Sequence, residues 1–265
     1  MQTNPPWPRY NKDGGRPPAR CISICERYPM RTIVKILARL LSLALAGALA
    51  GGCLLAALGY KMYRQALDAR SLEATIAAVQ ADPGYTPIDQ LPPLYLDAVV
   101  AVEDHRFAQH SGIDPIAILR AAVHDLRTRS LDQGGSTITQ QVAKNLFFTQ
   151  EKRFTRKIAE VFMAFRLEDA CTKDEILELY VNTIYFGDGY YGIRDACAGY
   201  FGKEPAQLTP YEATLLAGIP NAPSVYSLTA NPDLAAQRQQ YVVGQMVKFG
   251  YLTAEDAAAI TPPAA

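Results

Sequence analysis

Three short stretches of this chain hold residues whose types and spacing could do chemistry. The first is Glu103-Asp104-His105-Arg106-Phe107, followed by His110, Gly112 and Asp114. Glu103 lies one helical turn beyond Val99, at the edge of an apolar stripe of Leu96, Val99, Val100 and Val102. A carboxylate against apolar surface has its charged form disfavoured, so its pKa rises into the range of a general base near neutral pH. A solvated helix end would show the same letters. The second stretch runs from Gln133 through Gly134, Gly135, Ser136, Thr137, Ile138, Thr139, Gln140, Gln141 and Lys144 to Asn145. Its polar residues are mostly uncharged donors, unlike the Glu and Lys of an ordinary solvated face. Two glycines before a helix start, with Ser136 as the cap of a helix beginning at Thr137, predict an anion cradle of free amides. Gln140 and Lys144 share one face, as do Gln141 and Asn145. The third stretch, Lys152-Arg153-Phe154-Thr155-Arg156-Lys157, precedes Glu160. Four cations in six residues suit a pyrophosphate. An Arg156–Glu160 surface pair explains two of those residues equally well.

Helices must position these groups. Pro92 and Pro93 open a long helical pattern with Leu96, Val99, Val100 and Val102 on its apolar face. Thr172-Lys173-Asp174-Glu175 and Thr209-Pro210-Tyr211-Glu212 are capping boxes, the latter with Pro at the first helical position. Asn231-Pro232 begins a helix running to Lys248 and ended by Gly250, and Thr253 begins a last short one. Thr183 to Gly187 is the best strand candidate, although its flanking Asn and Gly fit a loop as well. The tyrosines of this region, Tyr180, Tyr185, Tyr190 and Tyr191, read as scaffold. The class is mainly α, with no internal repeat.

The 265 residues carry no net charge, but the charge is unevenly placed: +6 over residues 1–39 and −6 over the rest. Leu40 to Tyr60 contains no charged residue, and its 21 residues at about 1.5 Å each span roughly the 30 Å hydrocarbon core. The longer basic flank is N-terminal, which predicts a cytoplasmic tail and an outer catalytic domain. The run is too long, and the preceding tail too extended, for a cleaved signal peptide. Leu49 to Cys53 only weakly matches a lipoprotein cleavage site. The expected organisation is a basic disordered tail over 1–39, a transmembrane helix over 40–60, a stalk and linker over 61–90, a catalytic domain over 91–250 and a tail over 251–265. The five cysteines are poorly spaced for metal; Cys171 and Cys197 read equally as a disulfide or as two buried thiols. An anchor followed by these polar and cationic groups points to an enzyme that handles a phosphate-bearing lipid at a membrane surface.

Five ordered motifs carry a resemblance. They are Glu103-Asp104-x-x-Phe107-x-x-His110-x-Gly112, Gly134-Gly135-Ser136-Thr137-Ile138-Thr139-Gln140-Gln141-x-x-Lys144-Asn145, Arg156-Lys157-x-x-Glu160, Tyr180-x-Asn182-x-Ile184-Tyr185-Phe186-Gly187, and Leu216-Ala217-Gly218-Ile219-Pro220 with Pro223. The chain resembles peptidoglycan glycosyltransferase family 51 over about Leu91 to Gly250. Without Ser-x-x-Lys it is most similar to the monofunctional biosynthetic transglycosylases. The resemblance implies a mainly α, lysozyme-like fold with a small membrane-embedded jaw lobe. It implies polymerisation of lipid II at a bacterial inner membrane, with β-1,4 links formed by inversion and undecaprenyl diphosphate released. By the same resemblance Glu103 is the base, and Glu160 is a second essential carboxylate that places a metal or the leaving diphosphate. Asp104, Phe107, His110, Gly135, Ser136, Thr137, Gln140, Gln141, Lys144, Asn145, Lys152, Arg156 and Lys157 bind substrate. A divalent cation, Mg or Mn, is expected, with no organic cofactor. Expected partners are lipid II, the growing strand, the membrane and other wall-synthesis and division proteins, but no nucleic acid. The chain departs from the family at Lys152-Arg153, where relatives often place Arg, and at Leu228, where Pro is common. A lysozyme-like glycan-cleaving enzyme, or a non-catalytic cell-wall scaffold, are the competing readings.

Overall fold

The computed structural model describes residues 30–128, 135–149 and 153–262. The chain falls into two units. The first, Met1–Gly52, contributes among the described residues only the start of helix α1 (Met30–Ala69). The second, Cys53–Ala265, holds the rest of α1 and every other element.

Within α1, Thr32–Ala69 is long and apolar enough to cross a membrane by length and composition. The expected stalk and linker over 61–90 begins with two helical pieces. The anchor helix continues to Ala69, and a new helix, α2 (Leu72–Gln80), starts where the Ser71 side chain accepts from the Ala74 N–H. A Ser side chain that caps one helix competes with continuation of the helix before it. Leu72 is buried in the core, and Tyr63, Leu67, Ile76 and Val79 pack on it, so this segment is a wall of the folded unit rather than a linker. At the other end Tyr251 and Leu252 also pack on the core.

The remaining helices form two packed groups. α3 (Pro93–Glu103) lies against α9 (Pro210–Gly218) and α10 (Pro232–Lys248). α5 (Ile138–Phe147) lies against α6 (Phe154–Ala170) and α7 (Lys173–Thr183). α4 (Pro115–Thr128), α8 (Ile193–Phe201) and α11 (Ala254–Ala259) complete the set. The capping boxes expected at Thr172 and Thr209 are present, and Thr253 caps α11. No strand occurs among the described residues. The strand candidate Thr183–Gly187 is the end of α7 followed by a loop, with a single antiparallel bridge between Tyr185 and Tyr191. The tyrosine motif is scaffold: Tyr180 and Phe186 are fully buried, and the Asn182 side chain bonds both the N–H and C=O of Thr86. Cys171 and Cys197 are free thiols, half-buried and buried, so they pack as small hydrophobes.

α4 is unlike the others. Ile116, Leu119, Val123 and Leu126 are exposed along it, Leu126 to 82%. A stripe this apolar at the surface marks an interaction face.

Candidate active site

Glu103 is the last residue of α3, and Asp104 caps that end through its N–H to Val100 O. The buried Asp104 carboxylate then turns to the start of α5, where Oδ2 accepts from the Ile138 N–H at 3.1 Å and from His110 Nε2 at 2.9 Å. Thr137, not Ser136, is the N-cap of α5: its hydroxyl accepts from the Gln140 N–H, and the Gln140 side chain returns to the Thr137 N–H. The Thr137 hydroxyl also donates to Gly112 O at 2.7 Å. Gly112 sits at φ 86°, where a Cβ would press on the α6 backbone at 3.2 Å. The expected anion cradle is therefore overturned for the amides of Thr137, Ile138 and Gln140, which are engaged by the protein's own groups. Ligand contact from this stretch falls to side chains. Gly134 lies outside the described residues.

A cleft of about 460 Å³ opens beside Glu103. Of the residues singled out in the sequence, Asp104, Gly135, Ser136, Thr137, Gln140, Gln141, Lys144, Lys157 and Glu160 line it. Glu103 Oε2 accepts from Gln141 Nε2 at 2.8 Å, while the buried Oε1 has no hydrogen-bond partner. Burial raises the Glu103 pKa. The Gln141 bond and the charges of Arg238 and Lys144 hold it partly down, and Asp104 pushes it further up. Glu160 is 1% exposed. Its oxygens meet Arg156 Nε at 2.9 Å and Lys157 Nζ at 3.1 Å, and Lys157 also donates to Ser136 Oγ at 2.5 Å. Burial lowers the Lys144 pKa, with the charges of Arg156 and Lys157 adding to the drop and those of Glu160 and Glu103 opposing it. Lys144 thus feels the charge of both carboxylates.

Other expected site residues sit elsewhere. Phe107 belongs to the core, edge-on to His110, and the buried His110 is tied to Asp104; neither lines the cleft. They brace the turn that carries Glu103. Asn145 lines a separate cavity of about 370 Å³ with Thr75, Tyr85 and Asn182. Although Asn145 and Gln141 are four apart, the helix end carries Asn145 past the cleft. Arg156 reaches Glu160 and Thr149 O from outside the lining, so it acts through Glu160. Lys152 lies outside the described residues.

Residues 71–247, more than half of the chain, match the Transglycosylase family model. The chain belongs to the transglycosylase family. Among its relatives, a Cupriavidus necator protein whose name assigns it provisionally to the transglycosylases is 47% identical over 206 residues, covering 78% of this chain and 87% of that protein. Penicillin-binding protein 1A of Aquifex aeolicus is 47% identical over 171 residues, and that of Escherichia coli K12 is 47% identical over 166. These cover 64% and 63% of this chain but only 24% and 20% of those longer proteins. A crystal structure of penicillin-binding protein 1A from Haemophilus influenzae aligns with a TM-score of 0.40 at 22% identity, over 68% of this chain and 18% of that one.

In this transglycosylase a further part of the cleft lining comes from α10, which sequence reasoning left unassigned. Arg238, Tyr241, Gln245 and Lys248 all line it. Their spacing of three, four and three residues puts them on one helical face, a signal readable once the helix over 232–248 is predicted. The Arg238 guanidinium donates from Nε to Gly218 O and lies 4.8 Å from the Tyr241 ring centroid and 5.6 Å from that of Tyr226. Where α4 meets the cleft, Arg120 joins His105, whose ring stacks on Phe249 at 3.9 Å. The cleft therefore holds a carboxylate, Glu103, with one buried and unpartnered oxygen. The same cleft is lined by Lys157, held at Glu160, and by Arg238 and Lys248 of α10.

Proposed function

We propose that this chain polymerises lipid II into peptidoglycan glycan strands at the outer face of a bacterial inner membrane. The observation that carries the reading is the pairing of Glu103, poised as a base, with the cations around Glu160 in one cleft. Glu103 Oε1 takes the proton of the 4-hydroxyl on the acceptor's GlcNAc. The resulting oxygen attacks C1 of the MurNAc that ends the donor strand, from the face opposite the diphosphate. The C1–O bond breaks, undecaprenyl diphosphate leaves with its electron pair, and a β-1,4 link remains with inverted configuration. Negative charge develops on the diphosphate, where Lys144 and Lys157 stabilise it better than they stabilise the ground state. Arg156 holds Glu160, which in turn fixes Lys157. Arg238 and Lys248 on α10 offer a separate cationic face for the acceptor's own diphosphate.

The apolar run of α1 and the exposed face of α4 support a substrate drawn from a lipid surface, with the N-terminus cytoplasmic. The donor set does not fit a divalent ion held by the protein alone. Glu160 has both oxygens on cations, and no group of three or more His, Cys, Asp or Glu that could hold a metal occurs among the described residues. A divalent cation enters this proposal only as a companion of the diphosphate, and no step runs through it.

The test is purified full-length protein in detergent with lipid II and Mg or Mn. Glycan strands are expected on gel separation; no strands would sink the reading. Preformed strands incubated with the same protein should stay intact, and shortening them would favour the glycan-cleaving alternative. A reporter fused after Ala265 should be active only outside the cytoplasm.

A further inference from the structure

Over residues 53–60 of α1 every side is open to solvent except at Gly59, which is buried. What buries it is α6. A Cβ at Gly59 would fall 2.5 Å from Ile158 Cγ2, 2.7 Å from Ile158 Cβ and 3.2 Å from Thr155 O. All three are inside ordinary contact distance, so the helices meet here with no side chain between them, and only glycine fits. The contact continues along α1. The rings of Tyr60 and Tyr63 meet that of Phe162 on α6 at 5.3 and 5.9 Å between centroids. Further on, Met62 and Ala66 line a cavity of about 280 Å³ together with Arg156. Gly59, Met62, Tyr63 and Ala66 lie at helical spacing on one face.

That face seats the start of α6, which carries the cations of the site. Thr155 and Ile158 bracket Arg156 and Lys157, and Glu160 follows in the next turn. Arg156 and Lys157 meet Glu160 at 2.9 and 3.1 Å. Arg156 also donates to Thr149 O, and Lys157 to Ser136 Oγ. These bonds arrange the side chains around α6, while the seat of the helix itself against α1 is set at Gly59. We propose that Gly59 is a positioning residue for the Arg156–Lys157–Glu160 cluster. By letting α1 close on α6, it fixes the first turns of α6 and, through them, the place of the Lys157 ammonium. Close-packed contacts transmit a displacement instead of absorbing it. A side chain at position 59 therefore pushes α6 and moves Lys157 away from the charge that develops on the leaving diphosphate, although no residue of the cleft is altered. A misplacement of about 1 Å costs about 10²-fold in rate.

This inference rests on the proposed role of Lys157 and Glu160, but its first readout needs no turnover. Amide hydrogen exchange over residues 154–160 is measured by mass spectrometry on the full-length chain in detergent. In Gly59→Leu this segment should exchange faster than in the wild type, with α10 unchanged. Ala57→Leu adds bulk to the same helix at an exposed position and should match the wild type in exchange and in turnover. On lipid II, Gly59→Leu should lose about 10²-fold in kcat with KM little changed. Ile158→Gly removes the atoms that a Cβ at position 59 would meet. Gly59→Ala should thus speed exchange and lower kcat in the wild-type background and do much less of both in Ile158→Gly. Wild-type exchange over 154–160 in Gly59→Leu would overturn the inference, as would unchanged kcat or a loss matched by Ala57→Leu. Should Gly59→Leu fail to fold, the Gly59→Ala cycle decides it, and effects of equal size in both backgrounds remove the contact as the route. A wild type that makes no strands counts against the proposed function alone, and the exchange comparison still tests the seat of α6.

Discussion

Glu103 and Glu160 line the same cleft and are both sheltered from solvent, yet their surroundings differ in kind. Glu103 has one neutral donor, Gln141, and one oxygen with no partner. Glu160 is held by Arg156 and Lys157. An anion closed by two cations has no oxygen free to take a proton from a substrate. An anion with a free oxygen against apolar neighbours is already inclined to accept one. The difference supports the proposed division of roles: Glu103 as the group that takes up the proton during turnover, and Glu160 as the group that arranges the cations. Glu103 follows an apolar stripe and ends a helix. Glu160 lies within α6, one turn beyond Arg156 and in contact with Lys157, three residues before it.

The sharpest way to break that assignment is to remove each charge in turn. Glu103→Gln keeps the shape and the Gln141 contact but cannot accept a proton. Polymerisation should fall by about 10²–10⁴-fold, the range for loss of a general base, with the melting temperature nearly unchanged. A variant with wild-type turnover would remove Glu103 from the chemistry. Glu160→Ala should behave differently. It leaves Arg156, Lys157 and Lys144 facing one another without a counter-charge. Activity should drop by at least the ~10²–10³-fold of one lost transition-state donor. Here stability should fall too, by about 1–3 kcal/mol from the broken charged bonds, read as a lower melting temperature. If Glu160→Ala melts like the wild type, the pinned-cluster picture fails even when activity is lost.

Lys144 sharpens the comparison because it feels both carboxylates. Lys144→Met should cost about 10²-fold in polymerisation, towards the lower end for one lost donor because Lys157 remains. The pH profile follows from the two shifts. Glu103 works only when ionised, so activity is lost as pH falls through its raised pKa, above the ordinary range for glutamate. Lys144 works only when charged, so activity is lost as pH rises through its lowered pKa, below the ordinary range for lysine. The bell should be narrowed from both sides. In Lys144→Met the alkaline limb should move out, and the acid limb should move up because a cation that favoured ionised Glu103 is gone. A rate profile in which only the height changes would separate Lys144 from Glu103.

How much of this was legible beforehand divides along the same line. Local rules were readable: the capping boxes at Thr172 and Thr209, the limits of α10 and the apolar approach to Glu103 all follow from nearest-neighbour chemistry. Long-range competition was not. The α5 amides looked free because the partner of the Ile138 N–H is Asp104, distant in the chain, and nothing local announces that bond. Phe107 and His110 sit beside Glu103 in sequence, but the turn after α3 points them into the core. The break at Ser71 was hidden by an unbroken helical pattern on both sides of it. The α10 wall was missed for the opposite reason. Its helix was identified, but Arg238 and Lys248 belong to no motif, and their relevance appears only when α10 is packed against α3.

That wall offers the smallest and most selective test. Arg238 lines the cleft from α10, and its charge favours ionised Glu103. Its guanidinium is fixed by Gly218 O and by the Tyr226 and Tyr241 rings, so the charge is held at one place rather than on a mobile tail. Arg238→Met keeps much of the stem's packing and removes the charge. The acid limb should then rise by a few tenths of a pH unit, because a cation that makes no direct bond to the carboxylate acts through a high effective dielectric. Arg238→Lys keeps a charge but loses the planar stacking and the Nε donor, so it should recover only part of the shift. Neither change touches the Glu160 cluster, so the alkaline limb set by Lys144 should stay where it is. Movement of both limbs together would mean that the two carboxylates share one electrostatic site, and the division of roles between them would have to be given up.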